Sequence, residues 1–328
     1  MYKQVLVESK SYNIYVNPFI ECLGIVFVLA EFELNKTRTN KKYIEEINSC
    51  FSNYKKHNFV IQFKELLKIS SFKYDAPIEM ILTMFYNVKP SEELLQRARL
   101  TYAQYQQLKR DFVNFYNEIK FDNFFENNKN YFTLNAEQFK QDIEKYSPQK
   151  FLFDFLGLSS DNLNVLLMFG ITTANYGIKI GNQLFCCVRP YKKSRFDDQI
   201  DFCYDLPYMT TLILHEFAHS FINPITDKYK DIIASLDNEI FSEIFALNPY
   251  GVHKETAINE TIIRTIECLY LKSYFVDSYN LIKNEYLQDG FVFIPQLENV
   301  FEKYLSNRKL YKNILDFYPE IINIFKHK

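Results

Sequence analysis

Residues 4–8 and 12–16 alternate apolar and polar side chains, which predicts two short strands turning near Ser9–Ser11. Pro18 then opens an apolar run, and a buried helix is expected over about 18–33. From 41 to about 147 the apolar positions recur at helical spacing, giving segments 41–54, 58–69, 77–86, 91–98, 101–126 and 136–145. Asn135-Ala-Glu-Gln-Phe139 reads as a cap and first turn for the last of these. The texture then changes. Leu163–Phe169, Ala174–Ile180 and Leu184–Val188 are short and apolar, punctuated by Gly170 and by Gly181-Asn182. They predict three strands, the last two a tight hairpin. A helix through residues 212–224 follows, with Pro224 ending it or starting its exit turn. Helical stretches are expected at about 227–247, 254–276 and 292–326, with Pro295 and Pro319 near helix starts.

The expected class is therefore α+β, mostly helical, with a small sheet next to the 212–224 helix. The 328 residues allow one large or two intimate domains. The texture suggests a helical region at 1–150 packed on a second part at 151–328, as one integrated unit. Net charge is −2, and the charges are mixed rather than gathered in a basic stripe, so nucleic acid is not an expected partner. The 32 Phe and 25 Tyr accompany frequent Lys, Asn and Ile, a general compositional bias, so a single aromatic carries little functional signal. Cys22, Cys50, Cys186, Cys187, Cys203 and Cys268 include no C-x-x-C pair, which argues against a cysteine zinc site and demands no oxidising compartment. Ile20–Ala30 is too short to span a bilayer. It contains Glu21 and lacks a small-residue cleavage site, so it is not a signal peptide. A cytoplasmic protein without a membrane span is the expectation.

The chemistry concentrates in His215-Glu216-Phe217-Ala218-His219, an H-E-x-x-H pattern. On a helix, positions i and i+4 share a face, so His215 and His219 can aim two imidazoles at one metal ion. Glu216 falls beside them as a candidate general base. A catalytic zinc takes three protein ligands and leaves a fourth position open. The metzincin pattern would require Gly and His at 222 and 225, and both are Ile here. A later carboxylate is the remaining source, from Glu239, Glu243, Glu255, Glu260 or Glu267, with Glu267 the main rival of Glu260.

Asn259-Glu260-Thr-Ile-Ile-Arg264 resembles the third-ligand motif of the gluzincin peptidases, the relatives of thermolysin and the aminopeptidases. More widely, the chain resembles a bacterial family of zinc-peptidase-like proteins catalogued as a domain of unknown function. The resemblance runs through Val16-Asn-Pro-Phe-Ile-Glu-Cys-Leu-Gly-Ile25, Tyr74-Asp-Ala-Pro77, His215–Pro224, Asn259–Arg264, Gly290-Phe291 and Asp316-Phe-Tyr-Pro319. It implies a zincin-like fold and one Zn²⁺ per chain, held by His215, His219 and Glu260. It also implies cleavage of a peptide or protein substrate, with Glu216 as base. Tyr250 and His253 become candidate donors to the reaction intermediate. Arg264 and Asn259 become supports of the metal, or Arg264 a substrate-carboxylate partner. Asn175, Tyr176 and Gly177 become a candidate edge strand for an extended peptide. Two other classes fit the same residues: a non-catalytic relative binding zinc or peptide, and a metal-dependent hydrolase of a non-peptide amide or ester.

Overall fold

The structure, a computed structural model, describes residues 3–9, 12–35, 40–160, 162–190, 202–247 and 253–326. The described residues are mostly helical with one small mixed sheet, an α+β protein. It divides into two compact units, Met1–Asp142 with Asn162–Asp205, and Ile143–Asp161 with Leu206–Lys328. The texture change near 150 is not where the units part, because the strands after it fold with the N-terminal helices.

Sheet pairing accounts for this first unit. β1 (Val5–Glu8) and β2 (Asn13–Val16) are antiparallel, and β2 lies parallel to β3 (Leu163–Leu167), pairing Asn13, Ile14 and Tyr15 with Asn164, Val165 and Leu166. β3 continues parallel to β5 (Gln183–Val188), and β4 (Tyr176–Ile180) closes the order β1-β2-β3-β5-β4 as an edge strand. β3 is buried along its whole length, as its unbroken apolar run requires of a central strand. Asn164 is its one polar residue, and its amide nitrogen donates to Gln183 Oε1 at 2.7 Å.

The helices of this unit are α1 (Pro18–Leu29), α2 (Lys41–Phe51), α3 (Asn58–Leu67), α4 (Ala76–Phe85), α5 (Glu92–Ala98), α6 (Tyr102–Glu118) and α7 (Phe121–Tyr146), the last crossing the boundary between units. Asn17 caps α1 by accepting from Phe19 N and Ile20 N, with Pro18 at the first position. Two expectations change here. The 101–126 segment breaks at Ile119–Lys120, where Lys120 takes a left-handed φ of 52°. Helix α7 then runs unbroken through Asn135, so that residue is no cap. Its side chain instead donates to Tyr131 O one turn back and accepts from Phe202 N. Glu21, on the buried first turn of α1, accepts from Phe169 N at 2.8 Å and Gly170 N at 3.1 Å, fixing the exit of β3.

The second unit contains α8 (Pro148–Leu156), α9 (Leu206–Thr226), α10 (Lys230–Ala234), α11 (Ser242–Leu247), α12 (Lys254–Tyr274), α13 (Val276–Gln288), α14 (Ile294–Ser306) and α15 (Ile314–Ile324). Its centre is the pair α9 and α12, with α8 against α9, and with α13 and α14 against α12. Pro224 does not end α9, which continues to Thr226. Thr226 is buried, donates to Asn259 on α12 and shares a 2.5 Å hydrogen bond with Tyr318 on α15. Those contacts hold the last turn where the proline removes a backbone bond. Pro319 likewise sits inside α15, whose cap is an Asn313–Asp316 box. The stretch expected at 227–247 is broken into α10, α11 and two 3₁₀ turns. α8 and α13 fall in segments where no helix was expected. No described helix is long and apolar enough to cross a membrane.

Candidate metal centre

His215 and His219 project from one face of α9, and Glu260 faces them from α12. Within the described residues, these three form the group able to hold a metal ion. His215 Nε2 stands 3.0 Å from His219 Nε2, and His219 Nε2 lies 3.3 Å from Glu260 Oε1. His215 Nε2 is 3.7 Å from Glu260 Oε2. Ligand atoms ~2.0–2.1 Å from a tetrahedral zinc stand roughly 3.3 Å from one another, so the spacing suits one ion. The His219 side chain keeps 24% of its surface exposed, against 14% for His215 and 14% for Glu260, so the group is reachable from one side.

The opposite ring nitrogens decide the chemistry. His215 Nδ1 is 2.8 Å from Glu267 Oε1, and His219 Nδ1 is 3.1 Å from Asn223 Oδ1. Both partners are acceptors, so each Nδ1 carries a proton, and a ring in its neutral form turns an Nε2 lone pair inward. Two lone pairs at 3.0 Å beside a carboxylate oxygen repel one another unless a cation lies among them. A proton on His215 can serve. Burial opposes that charge, but the carboxylates of Glu267 and Glu260 outweigh it and lift the imidazole to about 9. Burial alone would raise Glu260 too. The charge on His215, the adjacent His219 ring and the charge on Arg264 instead push it down to about 2. The anion therefore persists in a nearly water-free place.

Glu260 is held by Arg264, one turn along α12, whose Nη2 lies 3.0 Å from Oε2. The alignment leaves that buried Oε2 without a hydrogen bond, as a ligand oxygen needs. The Arg264 guanidinium packs against two rings, 4.7 Å from the Tyr286 centroid and 4.6 Å from that of Phe291. Gly290 makes Phe291's position possible. Its φ is 90°, and a Cβ there would meet the Glu243 backbone at 2.8 Å. The Tyr286 phenol donates to Glu267 Oε2. Burial and the Glu267 charge push that phenol well above its ordinary value, so it remains a donor.

The other expected site residues fall as follows. Glu216 is half-buried on α9, next to His215 in the chain. Glu267, the expected rival for third ligand, contacts the outer nitrogen of His215 instead. Asn259 is buried and accepts from Thr226, tying α12 to the end of α9. His253 is exposed at the start of α12, about 10 Å along the helix axis from Glu260 at 1.5 Å per residue. Tyr250 lies outside the described residues. Asn175, Tyr176 and Gly177 belong to the first unit, where Tyr176 and Gly177 open edge strand β4 and Asn175 accepts from Arg189 N at 2.9 Å. Sequence reasoning missed Asn223 and Tyr286. Asn223 had a usable signal, being four residues beyond His219 on the same helix face.

Fold and site together define a mostly helical α+β protein with a partly buried two-histidine, one-glutamate cluster. The chain belongs to the family described as domain of unknown function (DUF4932), whose model matches residues 30–324. No curated protein and no solved structure matches it.

Proposed function

We propose that this protein is a zinc-dependent peptidase of zincin-like architecture, with His215, His219 and Glu260 as metal ligands and Glu216 as general base. The observation that carries the reading is the pair of inward Nε2 atoms, each fixed by an acceptor on its own Nδ1. Zinc and the proton on His215 would compete for the same Nε2 lone pair, so metal binding releases that proton.

Three ligands among the described residues, rather than four, favour a catalytic site over a purely structural one. When bound, zinc would polarise the scissile carbonyl and lower the pKa of water. The chain's own residues do the rest. Glu216 takes a proton from the attacking water and delivers it to the leaving amine. Glu267 and Asn223 hold the two imidazoles in the ligating tautomer. Arg264 keeps Glu260 anionic and in place. A structural site would need the ligands but no base beside them, so Glu216 favours hydrolysis. The test is digestion of a peptide library by zinc-loaded protein, with and without chelator. Chelator-sensitive cleavage supports the reading. A protein that binds zinc and leaves every peptide intact overturns it.

A further inference from the structure

Helix α13 carries no fully buried residue, and Val276 and Leu281 on it are 63% and 64% exposed. Polar side chains at helical spacing hold it instead. Tyr279 OH donates to Glu298 Oε1 at 2.8 Å, Lys283 pairs with Glu298 Oε2, and Tyr286 donates to Glu267. The last anchor reaches the metal cluster. Its hydroxyl holds Glu267, and Glu267 holds His215. Its ring lies under Arg264, and Arg264 holds Glu260.

We infer that Tyr286 is a positioning residue for the metal centre, aligning His215 through Glu267 and Glu260 through Arg264. This rests on the metal reading above and extends it to a residue outside the two ligand helices. A carboxylate with one oxygen on Nδ1 and the other free to rotate would hold the ring loosely. The phenol occupies that second oxygen, so Glu267 keeps one orientation. A guanidinium with one ring missing would lose part of its seat, and Glu260 would follow it. Two of the three ligands are then set by one side chain on a third helix.

The test uses the full chain and two variants. Tyr286→Phe removes the bond to Glu267 and keeps the ring under Arg264. Tyr286→Leu removes both arms. Zinc affinity is measured by competition with a chromophoric chelator, and the visible spectrum of the Co²⁺-loaded protein reports ligand geometry. Outer partners of metal ligands are worth about 10–100-fold in affinity, so Tyr286→Phe should lose about 10-fold and Tyr286→Leu more. Both should change the Co²⁺ spectrum, which a general loss of stability would leave alone. Lys283→Met, which cuts another anchor of the same helix, should keep the wild-type affinity and spectrum.

Wild-type affinity and spectrum in Tyr286→Phe and Tyr286→Leu would overturn the inference while leaving the metal site standing. An equal loss in Lys283→Met would also overturn it, by assigning the effect to helix docking in general. A wild-type protein that binds neither zinc nor Co²⁺ would instead refute the metal reading itself. If Tyr286→Leu fails to fold, Tyr286→Phe alone decides, because it removes a single oxygen.

Discussion

Glu267 Oε1 meets His215 on its Nδ1, 2.8 Å away, whereas Glu260 approaches the same ring at Nε2. The two glutamates are seven residues apart on one face of α12, so helical spacing treats them alike. The imidazole between them separates their roles. Glu260 shares the space enclosed by both histidines. Glu267 stands behind one histidine and sets its tautomer.

That difference orders two substitutions. Glu260→Gln removes an anionic ligand and should cost more than 100-fold in zinc affinity. Glu267→Gln keeps an amide oxygen for Nδ1 and should cost about 10-fold, at the lower end for outer partners. Chelator competition on both proteins checks the order. A larger loss in Glu267→Gln would make Glu267 the ligand and dismiss Glu260.

Glu216 is assigned to proton transfer rather than to the metal. Glu216→Gln should therefore bind zinc as the wild type does and lose about 10²–10⁴-fold in peptide hydrolysis. Zinc content and turnover measured on the same preparation separate the two effects. Activity close to wild type in this variant would remove the base from the mechanism.

Much of this arrangement was legible before any coordinates. The paired histidines stood out because ligand chemistry restricts both residue type and helical spacing, whereas Glu260 was singled out among five glutamates only by the resemblance of Asn259-Glu260 to a peptidase motif. The three strands after residue 160 stood out through apolar runs bounded by glycine. Their partners did not, because parallel pairing of 13–15 with 164–166 leaves no local mark on either segment. Helix α13 escaped because a helix without buried residues has no apolar period to read. Tyr286 escaped with it, as one tyrosine among 25. The break between α6 and α7 carries neither glycine nor proline, only a lysine in a left-handed turn. Pro224 and Pro319 misled in the other direction, since tertiary contacts at Thr226 and the box at Asn313 keep both helices going.

Glu21 should make stability depend on pH, independently of the metal. It is fully buried, and burial raises it from 4.5 to about 7, against the opposing effect of the backbone bonds from Phe169 and Gly170. A raised folded value means that the native state holds a proton that the unfolded chain releases between pH 4.5 and 7. Its contribution is fully present below 4.5 and is lost as pH rises through about 7. The shift corresponds to about 3 kcal/mol. Denaturant unfolding at pH 4.5 and pH 7.5 should show the wild type's advantage over Glu21→Gln shrinking by about that amount. An advantage that grows with pH would mean that Glu21 is held as the anion.

Asn259 gives a prediction in which stability and metal binding part company. It precedes Glu260 in the chain, and the resemblance to peptidase motifs groups the two residues as one signature. In the structure its side chain accepts from Thr226, which also bonds Tyr318, so it joins α12 to the last turn of α9 and to the middle of α15. All three polar groups are buried or nearly so. Asn259→Leu is close in volume but removes the amide acceptor, leaving the Thr226 hydroxyl the Ile222 carbonyl and Tyr318 as partners. The loss expected for one such hydrogen bond is about 0.5–1.5 kcal/mol. Because Asn259 contacts this junction, the folded variant should retain zinc affinity within about threefold of the wild type, well short of the 10–100-fold of an outer ligand partner. Thermal unfolding and chelator competition on one preparation measure both quantities. Unchanged stability with a large loss of zinc would place Asn259 among the supports of the metal and displace Thr226 as its functional partner.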